Sequence, residues 1–154
     1  MKIKTRLLTL AALFGVVAVC FAADVNIGTW KLNETKSKVS PGAGKNSKVV
    51  VAAAGDSMKV TVDGVGADGK PTHNEWTGKF DGKDYPLSGD PASDMRAYKP
   101  VNDHSLAITE KKAGKTTTTG NIVISADGKT RTVTASVTDA TGKKTSVTFV
   151  YDKQ

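Results

Sequence analysis

Three Gly-Lys pairs divide residues 114–143, which read GKTTTTGNIVISADGKTRTVTASVTDATGK, into segments of equal length. Their glycines stand 14 residues apart. Glycine has no Cβ, so it readily adopts the positive φ that tight hairpin turns require. A repeat of this length leaves about 10 residues for each strand and about 4 for each turn. The stretch therefore predicts a run of antiparallel hairpins.

The segments between the turns alternate apolar and polar residues, which is typical of strands with one buried face. Val133, Ala135 and Val137 alternate with threonine and serine, and the same period recurs along most of the chain. It predicts about ten strands, at residues 29–33, 47–54, 57–63, 72–80, 84–88, 94–100, 104–111, 116–125, 130–138 and 144–151. A short helical turn at residues 34–38, with Asn33 as its cap, is also expected.

Strands joined by short hairpins would leave two unpaired sheet edges unless the sheet closes on itself. Closure as an up-and-down barrel removes both edges. A two-sheet sandwich is the alternative, but it normally needs long crossovers, whereas nearly all connections here are short. We therefore predict an all-β fold, a closed up-and-down antiparallel barrel of about ten strands.

The first 22 residues have the order of a secretory signal peptide. Lys2, Lys4 and Arg6 precede an uncharged apolar run, and a small-residue exit predicts cleavage after Ala22. A retained membrane anchor and lipid attachment at Cys20 are the alternatives. Cleavage predicts a single domain at residues 23–154 that is secreted or periplasmic, with no stable membrane insertion.

The chain after residue 22 carries 19 basic and 15 acidic side chains and no cysteine. No disulfide is expected in this part of the chain. The modest positive charge favours solubility and is far from the basic groove with stacking aromatics that single-stranded nucleic acids need. We expect a monomer that does not bind nucleic acid.

Residues 28–33, Gly-Thr-Trp-Lys-Leu-Asn, open the predicted barrel. This opening resembles the first strand of lipocalins and fatty-acid-binding proteins, members of the calycin superfamily. Together with the Asp-Gly-Lys turns, it is also similar to bacterial secreted lipocalin-like proteins. The resemblance implies a lipocalin-like barrel whose closed end is plugged by Trp30.

Residues 147–153 are similar to the last strand of fatty-acid-binding proteins, where an Arg-X-Tyr motif holds the ligand carboxylate. Tyr151 matches the tyrosine, but Phe149 stands at the arginine position. The stretch between the first two predicted strands is also too short for the two-helix lid of those proteins. The resemblance therefore implies a shared barrel without that mode of fatty-acid binding.

Catalytic chemistry has few candidate residues after residue 22. His73 and His104 are far apart in sequence, and His73 shares with Glu75 the strand face opposite Trp76, which is the predicted solvated face. General acid–base work needs a pocket and shifted pKa values. A metal ion needs three or four converging ligands. We predict no enzymatic activity, no metal site and no cofactor.

The predicted lumen is a better candidate site, because barrels of this size are either packed solid or hold one small ligand. The candidate ligand contacts share strand parity with apolar neighbours or with each other, and they are Trp30, Met58, Trp76, Phe80, Arg96, Tyr98, Arg131, Phe149 and Tyr151. Its arginines and tyrosines are candidates for orienting a ligand. For each arginine a rim position in water is favoured, because an unpaired charge inside the lumen is costly.

These features favour an exported, non-catalytic binding protein for a small apolar or amphipathic ligand. A structural or interaction module of the cell envelope, with a filled barrel and no ligand, is the alternative. An enzyme with a polar cluster at the open rim is a third hypothesis. The volume of the lumen separates the first two, since a filled interior would remove the binding hypothesis.

Overall fold

The computed structural model of the protein describes residues 21–40, 43–139 and 141–154. The predicted signal peptide therefore lies outside the described residues, apart from its last two, and the expected cleavage after Ala22 falls within a short helix. Residues 41 and 42, between the first two strands, also lie outside them. Within the described ranges, no helix has the length and apolar character needed to cross a bilayer.

One helix precedes ten strands. In chain order they are α1 (Phe21–Asn26), β1 (Gly28–Leu32), β2 (Lys45–Ala54), β3 (Ser57–Val65), β4 (Pro71–Gly78), β5 (Tyr85–Ser88), β6 (Met95–Asn102), β7 (Ser105–Lys112), β8 (Lys115–Ile124), β9 (Thr130–Thr138) and β10 (Lys144–Lys153). The predicted strands are thus confirmed, with ends that shift by a few residues.

The strands form one closed antiparallel barrel in which each pairs with its neighbours in sequence and β1 pairs with β10. The closing pair aligns Trp30 with Lys153 and Leu32 with Tyr151. No strand crosses to a second layer in the described part of the chain. The predicted barrel is confirmed, and the sandwich is wrong, because every connection returns to the adjacent strand.

The hairpin turns follow the local chemistry of the sequence. Gly128 has a φ of 70° and Gly142 a φ of 85°, as tight turns require. Asp127 accepts a hydrogen bond from the backbone N–H of Lys129 at 3.0 Å, an Asx turn that fixes the β8–β9 connection. The expected turn after β1 also forms, since the Asn33 side-chain oxygen accepts the Lys36 N–H at 3.2 Å.

One end of the barrel is packed around Trp30, which is 0% exposed. Its indole Nε1–H donates to the backbone oxygen of Asn26 in α1 at 2.8 Å. The Lys153 ammonium lies 5.1 Å from the centroid of the same ring. The helix and the tryptophan together close this end, so an internal site has to open toward the other.

Candidate functional site

A cavity of about 400 Å³ lies inside the barrel. Most of its wall is apolar, and the larger apolar residues that line it are Val49, Val62, Ile108, Ile122, Val133, Val147 and Phe149. The polar groups that face it within the barrel include Arg96, Tyr98, Glu110, Arg131 and Tyr151. A few polar groups set in an apolar wall are typical of sites that bind and orient small molecules.

The cavity follows strand β9 along its whole length. Arg131, Val133, Ala135 and Val137 all line it, and they span about 20 Å at the rise of a β-strand. Arg131 lies beside the β8–β9 turn, whereas Val137 lies near the β9–β10 turn and is 36% exposed. The loop residues Asp90 and Ala92 also border the cavity. Arg131 therefore marks the deep end of the cavity and Val137 marks its mouth.

Of the nine residues predicted as ligand contacts, five line this cavity: Arg96, Tyr98, Arg131, Phe149 and Tyr151. The other four, Trp30, Met58, Trp76 and Phe80, are buried in the hydrophobic core and do not border it.

The aromatic residues among those four are held by close packing rather than set around an opening. Trp76 meets Tyr98 edge to face with centroids 4.8 Å apart, and Phe80 lies 5.1 Å from Tyr98. Their rings fill the part of the barrel that a ligand would otherwise occupy. Strand parity identified them correctly as inward-facing, but parity cannot separate a packed layer from a hollow one.

The favoured rim position of the two arginines is wrong. Arg96 is 4% exposed and Arg131 is 5% exposed, and both side chains lie inside the barrel. The expectation rested on the cost of an unpaired buried charge. For Arg96 that cost is offset by a partner that strand parity alone did not identify.

The partner of Arg96 is Glu110. Arg96 Nε donates to Glu110 Oε1 at 2.6 Å, and Nη2 donates to the side-chain oxygen of Asn74 at 3.4 Å. Burial disfavours the charged form of Arg96, but Tyr98 and Glu110 outweigh it, so the pKa of Arg96 is raised. Glu110 shares parity with the inward residues of β7 and lies directly opposite Arg96, which is the signal that would have predicted the pair.

Arg131 has no comparable partner. Its guanidinium carbon lies 5.6 Å from the centroid of the Tyr151 ring, and its Nε has no hydrogen-bond partner among the described residues. Burial lowers the pKa of Arg131, and the charge of Arg96 lowers it further. An arginine nevertheless stays charged at neutral pH.

His73 and Glu75, the pair considered for acid–base catalysis, lie on the outer surface. His73 Nδ1 is 2.7 Å from Asp63 Oδ1, and Glu75 pairs with Lys59 at 2.8 Å. All four side chains are exposed to solvent, which confirms the predicted solvated face. Within the described residues, no three His, Cys, Asp or Glu side chains group as metal ligands.

No known family model and no curated protein matches the chain. Among solved structures, it is similar to the structure of EF1p2_mFAP2b bound to DFHBI, with a TM-score of 0.53 and 13% identity over 87% of this chain and 98% of that one. A redesigned beta barrel, mFAP1, bound to DFHBI, gives a TM-score of 0.49 and 14% identity over 86% and 99%. Sequence identities this low show a similarity of fold alone. The protein is a closed ten-stranded antiparallel barrel with an internal cavity.

Proposed function

We propose that this chain is an exported, non-catalytic binding protein that holds a small apolar or amphipathic molecule in its lumen. The observation that carries the proposal is the cavity of about 400 Å³ inside the barrel. Ligand sites in proteins occupy roughly 300–1,000 Å³ and combine apolar walls with a few polar groups. The barrel interior meets both conditions.

The volume of the cavity limits the size of the ligand. At the packing density of protein interiors, a cavity of about 400 Å³ holds a molecule of roughly 15–20 non-hydrogen atoms. We therefore expect a compact ligand, such as a substituted aromatic or a medium-length chain, rather than a complete phospholipid.

The alternative of an envelope module with a filled barrel is less well supported. It requires an interior packed throughout, whereas a cavity of about 400 Å³ lies beside the core residues in the described part of the barrel. A solved barrel of similar fold, EF1p2_mFAP2b, is described bound to DFHBI, and this also favours a binding role.

Export is the part of the proposal that rests on sequence. The basic start, the uncharged run and the small residues before Ala23 support a secretory signal. The chain after residue 22 has no cysteine, so an oxidising compartment would leave its chemistry unchanged. The similarity of the first strand to bacterial secreted lipocalin-like proteins also supports export.

A pair of variants on β9 tests lumen binding. Val133→Trp places an indole inside the cavity, whereas Thr134→Trp places the same group on the exposed outer face of the same strand. Binding of N-phenyl-1-naphthylamine, an uncharged apolar probe, is followed by fluorescence. We expect binding to wild type and to Thr134→Trp, and at least tenfold weaker binding to Val133→Trp. Equal binding by all three proteins would show that the probe occupies another surface.

A further inference from the structure

We propose that the lumen takes an anionic amphipath, a molecule with one carboxylate or sulfonate group, whose charged head lies against Arg131 at the deep end of the cavity. This inference rests on the proposed binding function and deepens it by naming the chemical class of the ligand. Arg131 is a positive charge that lines the cavity, and its Nε lacks a hydrogen-bond partner in the described part of the chain.

Arg131 is a buried cation with unused hydrogen-bonding capacity. It is 5% exposed, it lines the cavity, and its Nε has no partner among the residues described. Burying a charge is costly unless the charge is paired and hydrogen-bonded. The aromatic face of Tyr151 at 5.6 Å offsets only part of that cost.

The groups around Arg131 do not neutralise it. Of the described residues, the titratable groups that shift the pKa of Arg131 are Tyr98, Tyr151 and Arg96, and none of them is a carboxylate. Burial raises the pKa of Tyr151 to about 12, so its hydroxyl is neutral at physiological pH. Arg96 is a like charge and adds repulsion.

The two carboxylates that line the cavity are engaged elsewhere. Glu110 accepts the 2.6 Å hydrogen bond from Arg96, and Asp90 accepts the backbone N–H of Ala92 at 2.8 Å in the loop that borders the mouth. The deep end of the cavity therefore retains one positive charge, which matches a ligand with a single negative charge.

A second unused donor belongs to Arg96, which also lines the cavity. Arg96 Nη1 is buried and has no hydrogen-bond partner in the described ranges, although Nε and Nη2 of the same side chain are both engaged. Guanidinium groups bind carboxylates and sulfonates through two parallel donors. Arg131 would supply the main contact, and Arg96 a further donor.

The apolar wall sets the direction of the ligand. From Arg131 toward the mouth, β9 presents Val133, Ala135 and Val137. An amphipath would place its charged head deep and its apolar body along this wall. Arg131 on β9 and Arg96 on β6 would hold the head. The last strand would not, because Phe149 stands at the position of the arginine in the Arg-X-Tyr motif.

Two matched probes test the charge. The sulfonated probe 8-anilinonaphthalene-1-sulfonate has the carbon skeleton of N-phenyl-1-naphthylamine with one added anionic group. We expect wild type to bind the sulfonated probe at least tenfold more tightly than the uncharged one. Arg131→Met should weaken the sulfonated probe at least tenfold and leave the uncharged probe within threefold. Lys115→Met, which removes an exposed charge, should change neither affinity.

The outcomes separate this inference from the proposed function. Tight binding of the uncharged probe, with no loss of the sulfonated one in Arg131→Met, would overturn the anion site and leave lumen binding intact. Failure of wild type to bind either probe would overturn both. Circular dichroism checks that each variant is folded, and Arg131→Gln takes the place of the methionine variant if that protein does not fold.

Discussion

Replacing Arg131 by methionine is expected to stabilise the ligand-free protein. Arg131 is 5% exposed and has an unpartnered Nε, so its burial costs several kcal/mol after relaxation. Methionine has a similar length and fills the same space without charge. Loss of the contact between Arg131 and the Tyr151 ring reduces this stabilisation by about 1–2 kcal/mol. We therefore expect a net gain of about 1–3 kcal/mol, since replacing buried ions by apolar residues is often neutral or stabilising by up to about 4 kcal/mol.

The assay is urea unfolding of refolded, ligand-free protein, followed by circular dichroism. A gain of this size corresponds to a rise in melting temperature of about 4–12 °C for a domain of this length. The matched control is Arg96→Met, which leaves Glu110 buried without its 2.6 Å partner. That variant should lose about 3–5 kcal/mol. If Arg131→Met is destabilised as strongly as Arg96→Met, Arg131 has a structural partner and the reasoning is wrong.

Two further predictions concern the closed end and the lumen tyrosine. Trp30→Ala should lower the free energy of unfolding by about 3–5 kcal/mol, because a fully buried aromatic plug is removed. A urea unfolding midpoint close to that of wild type would mean that Trp30 does not close the barrel. Stability should also fall as pH rises from 10 to 12, because the unfolded Tyr151 ionises near its ordinary pKa of 10.0 while the folded residue stays neutral up to about 12. Tyr151→Phe should flatten that slope in urea titrations at increasing pH, and an unchanged slope would contradict the assignment.

The strands and turns were predictable because their signals are local. A period of two residues and glycines such as Gly128 and Gly142 are visible in the sequence without knowledge of the neighbours. Closure followed from the absence of long crossovers. These features depend on residues close in sequence, so pattern reasoning recovered the barrel and most of its inward faces.

The arrangement of charges in the site could not be predicted from the sequence as well as the strands and turns. The pair between Arg96 and Glu110 depends on the register between β6 and β7, which a bulge near Pro100 shifts. Arg131 lies deep in the cavity because the end of the barrel beside it is closed, and α1 contributes to that closure. The sequence analysis assigned the α1 segment to the region around a signal-peptide cleavage site, so its role in closing the barrel was not predicted. Cross-strand register and barrel closure are three-dimensional quantities. The rim position of both arginines was inferred without them, from the cost of an unpaired buried charge, and was therefore wrong.

Native mass spectrometry of the protein purified from its own host shows directly whether the lumen holds a small ligand. We expect a bound mass of about 200–300 Da, which follows from the number of non-hydrogen atoms that the cavity volume and the interior packing density allow. This mass should be released on denaturation and should be absent from Val133→Trp. Ligand-free spectra for the wild-type protein, together with no binding of either naphthalene probe, would contradict lumen binding.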